Sequence, residues 1–262
     1  MPVKLLFIGD IIGKPGRQAV SRELDRLVDR HMVDLVIANG ENAAGGFGIT
    51  EDTANDLYKC GIHVLTSGNH IWDKKDSLDF INREEKLLRP ANYPDGTPGR
   101  GSALFVTAGG AKVAVINLEG RVFMNNLDCP FRTADREIER LRVETPIIFV
   151  DFHAEATSEK TSLGWYLDGR VSAMIGTHTH IQTADERILP NGTAYLTDAG
   201  MTGANDSVIG VKKEEAITKF LSQLPAKFEI AKNNLRLNGA VVTVDELSGK
   251  AVGIERINIS CE

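Results

Sequence analysis

Leu65-Thr66-Ser67-Gly68-Asn69-His70-Ile71-Trp72-Asp73 is the stretch on which the reading of this chain turns. Val64 to Thr66 is apolar and β-branched enough to end a buried strand. Gly68 is expected to release the backbone into a tight turn, and Asn69 and His70 follow where the strand stops. Open α/β sheets bind ligands just past the carboxyl ends of their strands. Asn offers a neutral oxygen to a hard cation, and His offers a proton donor or a nitrogen ligand. Taken alone, Ser-Gly-Asn is also ordinary turn chemistry, so the neighbouring segments have to decide.

They repeat the pattern. Val3 to Ile8 is a continuous apolar run of strand length ended by Gly9-Asp10. A loop is expected at Gly13, Pro15 and Gly16, and Val20, Leu24, Leu27 and Val28 then recur at helical spacing. Leu35 to Ala38 is a second strand ended by Asn39-Gly40-Glu41-Asn42. Beyond a glycine-rich loop, Thr50 is a plausible helix cap with Glu51 and Asp52 in the first turn. That helix closes at Cys60-Gly61 before the third strand. Strand, helix, strand, helix, strand is a parallel α/β unit.

The second half predicts a hairpin of Ala103–Val106 with Lys112–Leu118 and a helix from about Ala134 to Leu141. A buried strand, Ile147–Phe152, is ended by His153, and a helix from Ser158 to Leu167 carries a weakening Gly164. Val171–Ile175 is ended by Gly176-Thr177-His178-Thr179-His180. Ile188-Leu189 with Thr193–Leu196, and Ala240–Val244 with Ala251–Ile257, read as hairpins either side of a helix near Glu214–Leu221. Without repeats, low-complexity segments or a linker, residues 1–262 read as one domain of two mixed sheets packed face to face, with helices outside.

Composition fits this picture. Hydrophobic residues at 42% and charged ones at 25% provide a normal globular core. A net charge of −6 argues against a long nucleic acid as the main partner, which would need clustered Lys and Arg. A small phosphorylated ligand remains compatible. Cys60, Cys129 and Cys261 form neither a CxxC pair nor a disulfide framework, which points to a reducing compartment. No apolar run approaches the ~20 residues of a membrane span, and the amino terminus lacks a signal-peptide layout; the expected location is the cytoplasm. Oligomeric state is unreadable, and a homo-oligomer is compatible.

Asp10, Glu41 with Asn42, Asn69 with His70, His153, and His178 with His180 all stand at strand ends. These carboxylates, amides and imidazoles exceed the needs of one ion but suit a metal pair sharing a carboxylate, roughly 3.5–4 Å apart, on a phosphoryl displacement. Nitrogen and oxygen donors without thiolate favour Mn or Fe, with Zn as the further option. Alternative readings are a polar stripe for His178 and His180, a structural role for His153, and a turn or cap for Asp10. His31 and His63 fit no pattern and read as structural.

On the blocks Gly9-Asp10, Asn39-Gly40-Glu41-Asn42, Gly68-Asn69-His70, His153 and Gly176-Thr177-His178-Thr179-His180, the chain resembles the calcineurin-like metallophosphoesterases. Within them it is closely similar to the YmdB-like cyclic-nucleotide phosphodiesterase branch. The superfamily's first block is Asp-x-His, whereas here Ile12 replaces the histidine, and Glu41 stands for the bridging Asp; both departures are those of the YmdB-like branch.

The resemblance implies a four-layer α/β/β/α sandwich. It assigns Asp10, Asn42 and His180 to one divalent ion, Asn69, His153 and His178 to a second, and Glu41 to the bridge. Asn42 would replace the ligand lost at Ile12. A hydroxide between the ions would attack phosphorus, and His70, oriented by Asp73, would protonate the leaving ribose oxygen. The implied substrates are 2',3'-cyclic nucleotides and, more broadly, 3',5'-cyclic ones. Competing readings are a phosphomonoesterase, nucleotidase or small nuclease of the same superfamily, and a non-catalytic nucleotide- or RNA-binding regulator. Arg132 facing a phosphate is weighed against a helix start capped by Thr133; Phe47 and Trp72 are weighed between base stacking and core packing.

Overall fold

A computed structural model describes residues 2–261. Its first strand, β1 (Pro2–Ile8), shows how the layers arise. Side chains alternate across a strand, so Val3, Leu5 and Phe7 enter one apolar cluster while Leu6 and Ile8 enter another. A strand apolar on both faces must be covered on both faces.

Beyond it come α1 (Gly13–His31), β2 (Leu35–Asn39), α2 (Glu51–Lys59), β3 (Val64–Thr66) and α3 (Leu78–Arg83). The chain continues through β4 (Ser102–Val106), β5 (Lys112–Glu119), α4 (Pro130–Arg142), β6 (Ile148–His153), α5 (Thr157–Leu167) and β7 (Ala173–Thr177). Last are β8 (Arg187–Ile188), β9 (Ala194–Leu196), β10 (Gly203–Ala204), α6 (Lys213–Ser222), β11 (Leu235–Asp245) and β12 (Ala251–Ser260).

In the first sheet β3, β2 and β1 run parallel, and β11 pairs antiparallel with β1 and with β12. β10 pairs with the start of β11. The second sheet has the order β4-β5-β6-β7-β9-β8, parallel from β5 to β9 and antiparallel at both edges. Leu5, Phe7, Val115, Phe149 and Ile175 share the cluster between the sheets, where the Phe7 and Phe149 rings lie 5.1 Å apart. Helices α1 and α2 contribute Val20, Leu24 and Leu57 to a cluster on the first sheet's outer face. Ile138 of α4 and Leu163 of α5 do the same on the second. Three apolar interfaces make four layers, the expected α/β/β/α sandwich of two mixed sheets.

Several boundaries differ from expectation. Gly13, Pro15 and Gly16 lie in the first turn of α1 rather than in a loop; Pro is tolerated there because the first helical N–H groups lack intrahelical partners. Helix α4 begins at Pro130, its N1 position, so Thr133 is a buried helical residue and not the cap. Arg132 beside it is not part of the large cavity described below. Strand β11 starts at Leu235, where Leu235 and Leu237 alternate with polar Arg236 and Asn238. Helix α3 is six residues long, too short for a helical period to show in the sequence. Thr50 does cap α2, completing a reciprocal pair with Thr53. Gly164 in α5 leaves room for the Tyr195 ring, which a β-carbon would overlap. Cys60, Cys129 and Cys261 are free. No helix among the described residues is long and apolar enough to cross a membrane.

Candidate functional site

Parallel strands in both sheets end at one common edge, and their ends supply the site. Asp10 follows β1, Glu41 and Asn42 follow β2, and Asn69 and His70 follow β3; His153 ends β6, and His178 and His180 follow β7. Two groups of potential ligand atoms form there, each with its atoms within 4.8 Å of one another: Glu41, His153 and His178 in one, Asp10, Glu41 and His180 in the other. Glu41 belongs to both. Asn69 Oδ1 lies 3.1 Å from His153 Nε2, and Asn42 Nδ2 lies 3.4 Å from His180 Nε2. The seven residues named as ligands in the sequence therefore lie together at this edge, five of them within the two groups and the two asparagines beside them.

The turn carrying the paired histidines is strained. β7 ends at Thr177, and His178 (φ 99°) and His180 (φ 66°) occupy backbone conformations that favour glycine. A polar stripe on a strand is thereby excluded for this pair. Such outliers persist only where surrounding contacts fix them. The His178 N–H donates to Asp10 Oδ2 at 3.2 Å, and Thr179 donates to Asp198 Oδ2 through its N–H (3.2 Å) and its hydroxyl (2.8 Å). Asp198 is held in turn by the buried ammonium of Lys160 at 2.6 Å.

Gly68 serves the site differently from expectation. Its φ lies outside the left-handed region, so the turn does not demand glycine on conformational grounds. Space does: a β-carbon would run into His153 Cδ2 and Nε2 and into Glu41 Oε2.

Hydrogen bonds on the far ring nitrogens indicate which nitrogen of each histidine is left for a ligand. His153 Nδ1 meets Thr177 Oγ1 at 3.0 Å, and that hydroxyl donates to Asp151 Oδ1 at 2.7 Å, so Nδ1–H is the donor and Nε2 is free for the cluster. His180 Nδ1 donates to the Ile209 carbonyl at 2.9 Å, which again frees Nε2. In His178 the roles reverse, because Nε2 faces Glu155 Oε2 at 3.2 Å and Nδ1 points to His153 Nε2 at 3.0 Å. Asp151 also accepts from Asn39 Nδ2 (3.0 Å) and Thr66 Oγ1 (2.5 Å), which ties the two sheets together behind the site.

Electrostatics follow from burial. Burial pushes the Asp10 carboxyl up, against the lowering charges of His180 and His153. Glu41 is buried too, yet the imidazole of His153 outweighs that cost and holds it low, while Glu41 in turn raises His153. Burial and the neighbouring His153 push His178 down to about 3, its neutral and ligating form. Behind the site, burial lifts Asp151 and Glu119 to about 7.

Two buried oxygens, Asp10 Oδ1 and Asn42 Oδ1, have no hydrogen-bond partner. Such orphans are costly unless something absent from the protein atoms satisfies them. Asp10 Oδ1 lies 3.9 Å from His153 Nδ1, and an orphaned carboxylate oxygen among imidazoles fits divalent metal ions; the Asn42 amide borders the same cavity as Ile12, which offers no ligand atom. His70 stands at the rim: Nδ1 lies 2.8 Å from Asp73 Oδ2, its ring meets Phe47 edge-on at 5.1 Å, and its N–H donates to Glu41 Oε2 at 3.2 Å. Asp73 and His70 do meet. Trp72 packs on Tyr93 instead of lining the cavity. His63 accepts the Val36 N–H through Nδ1, a structural role.

Sequence alone assigns no supporting role to Thr177, Asp151, Asn39, Lys160 or Glu155, and offers the loop opening at Asp198 only as a border of the pocket. Thr177, Glu155 and Asn39 flank ligand residues and Asp198 stands in the loop after β9, all polar positions at strand ends, whereas Asp151 lies inside β6 and Lys160 inside α5, where no local signal marks them.

Two mixed sheets between helices, with this ligand edge, define a metallophosphoesterase-type fold. The chain belongs to the YmdB-like family, whose model, described as "YmdB-like protein", matches residues 6–257. It is 51% identical over 258 residues to a Bacillus subtilis (strain 168) protein named 2',3'-cyclic-nucleotide 2'-phosphodiesterase, covering 98% of this chain and 97% of that one. A crystal structure of a hypothetical protein from Thermus thermophilus superposes with a TM-score of 0.93 at 42% identity, covering 99% of this chain and all of that one. A structure described as a novel phosphatase of Mycoplasma pneumoniae gives the same TM-score at 35% identity, covering 99% and 94%.

Proposed function

We propose that the chain is a metal-dependent phosphoric ester hydrolase, a phosphodiesterase of 2',3'-cyclic nucleotides that extends to 3',5'-cyclic ones, working as a single unit over residues 1–262 in the cytoplasm. One observation carries the reading: two ligand groups on strand ends of two sheets share the single carboxylate of Glu41. The named Bacillus subtilis relative supports the substrate class. Asp10, Asn42 and His180 would hold one ion, Asn69, His153 and His178 the other, and Glu41 both; Fe or Mn suits these donors best and Zn next. When bound, the pair supplies positive charge to the phosphoryl oxygens and an activated water for attack on phosphorus.

The chain's own residues do the rest. Thr177 and Ile209 keep His153 and His180 in the tautomer whose Nε2 faces the cluster. Glu155 does the reverse for His178. Asp73 fixes the ring of His70, whose Nε2 is left open to hand a proton to the leaving ribose oxygen. The retained His70 argues against a non-catalytic regulator.

Metal analysis of the purified protein beside a hydrolysis panel tests this reading. The panel holds 2',3'- and 3',5'-cyclic nucleotides, nucleoside monophosphates and a short RNA. About two metal ions per chain and hydrolysis led by the 2',3'-cyclic esters are expected, with Glu41→Gln losing metal from both groups and Asp10→Asn from one. Full metal and normal turnover in Glu41→Gln would remove the shared-carboxylate assignment. Preferred hydrolysis of monophosphates or RNA would replace the substrate class.

A further inference from the structure

The cavity over the ligand cluster has a volume of about 660 Å³, far more than a phosphoryl group needs and within the range of sites that bury a whole small molecule. Its floor is polar: Glu41, Asn42, His70, His178 and His180. The rest of its lining includes an apolar, partly aromatic wall of Phe47, Ile209, Val211, Phe228 and Ile230. Phe47 reaches it from the glycine-rich loop after β2, and Phe228 and Ile230 from the segment after α6.

Of the polar side chains bordering that wall, Glu155, Lys219 and Gln223 are exposed and Thr179 is half-buried, so none is held rigidly at a fixed place by burial. Glu155 Oε2 faces His178 Nε2 at 3.2 Å, and the Thr179 hydroxyl donates to Asp198 at 2.8 Å. The Lys219 ammonium sits 5.1 Å from the centre of the Phe228 ring, and Gln223 Nε2 donates to the Phe220 carbonyl at 2.9 Å. Stacking on an apolar wall is open to every nucleobase, because every base has a π-face. Telling bases apart takes donors and acceptors fixed at the base edge, and a site that hydrogen-bonds its ligand discriminates far more sharply than an apolar one.

Resting on the nucleotide reading above, we infer that the wall of Phe47, Ile209, Phe228 and Ile230 is a base-tolerant nucleobase subsite: it requires a base on the phosphate ester but does not select which base. Specificity for ester type then lies in the polar floor, and affinity for the nucleoside in the wall.

Calorimetric titration of the metal-loaded protein tests this with the four common nucleoside 3'-monophosphates and a base-free probe, methyl ribofuranoside 3-phosphate. The four nucleotides should bind within about tenfold of one another, and the base-free probe about 10- to 100-fold more weakly, the worth of one stacked base. Phe228→Leu and Phe228→Ala should remove much of that gap while leaving metal content and affinity for the base-free probe unchanged. Equal binding with and without a base, or a preference above about 100-fold for one base, overturns the inference. Kinetics separate it from the reaction assignment. If this binding pattern holds but no cyclic ester is hydrolysed, the phosphodiesterase reading falls and the subsite stands. If cyclic esters with and without a base react with equal kcat/KM, the subsite falls and the phosphodiesterase stands.

Discussion

Replacing Gly68 with Ala adds one methyl group at the centre of the ligand cluster without imposing backbone strain, since Gly68 lies outside the left-handed region. Its β-carbon would overlap His153 Cδ2 and Nε2 and Glu41 Oε2. Ordinary contact begins near 3.4 Å, so ring and carboxylate must each retreat by about 1 Å. Neither has room. His153 is fully buried and pinned by Thr177 at 3.0 Å and Asn69 at 3.1 Å, and Glu41 is 1% exposed. Overpacking of this kind costs about 1–3 kcal/mol, and each kcal/mol lowers Tm by roughly 2–4 °C in a chain of this size. Turnover should fall further, because a misplacement of about 1 Å costs about 10²-fold when reacting groups are held in position. Calorimetric Tm, metal per chain by mass spectrometry and kcat on a 2',3'-cyclic nucleotide are measured together. The expected outcome is a Tm lowered by roughly 2–12 °C, metal below the wild-type content, and kcat reduced by about 10²-fold or more. A variant with full metal and turnover within about twofold of wild type would refute the claim that His153 and Glu41 jointly set the site's geometry.

His70→Ala should keep its metal and its Tm while kcat falls by about 10²–10⁴-fold on a cyclic nucleotide, and by much less on a nitrophenyl ester whose leaving group needs little protonation; loss of a metal ion would make His70 a ligand instead. Thr177→Val removes the acceptor of His153 Nδ1–H and should weaken metal binding by about 10- to 100-fold in a chelator competition, and an unchanged affinity would show that the tautomer is set elsewhere. Glu119 carries a buried, unpartnered Oε2 and is lifted by burial to about 7. The folded chain therefore holds this proton where the unfolded chain has lost it, so metal-free stability should decline as pH rises from about 5 to 8, by at most about 3 kcal/mol from this group. Glu119→Gln should flatten that decline in denaturant titrations, and superimposable pH profiles would show that Glu119 ionises at no cost.

Strand ends were readable because each combines a buried apolar run with an abrupt polar cluster, as at Ile8-Gly9-Asp10 and Ala38-Asn39-Gly40-Glu41-Asn42. The same alternation that places Leu5 and Phe7 opposite Leu6 and Ile8 gave the layers. Element starts were harder. Pro130 opens α4 and Pro15 sits in the first turn of α1, positions where proline reads locally as loop. Behind the site, Asp151 lies between apolar Val150 and Phe152 in β6 and meets Thr66 and Asn39 of the other sheet; its sequence neighbours do not announce that contact. A glycine needed for space and a glycine needed for a turn look alike until the third dimension brings His153 beside Gly68.

The origin of the ligands has a consequence for stability. Asp10, Glu41, Asn42 and Asn69 belong to the first sheet, and His153, His178 and His180 to the second. In the proposed assignment each ion takes ligands from both sheets, and Glu41 couples the two ions. Neither sheet could then hold a metal alone, because each would contribute oxygen donors without imidazole or imidazole without carboxylate. Metal binding would be confined to the packed state, and a ligand that binds only the folded chain stabilises it by RT ln(1 + [L]/Kd), about 2.7 kcal/mol at a free concentration of 100 Kd. The protein already joins the two sheets behind this edge without metal, through Asp151 to Thr66 and Asn39 and through the Ser67 N–H donating to Asn117 Oδ1. Those bonds hold the two sheets' strand ends together by protein groups alone, so in the proposed assignment the metal would enter a preorganised site rather than assemble one.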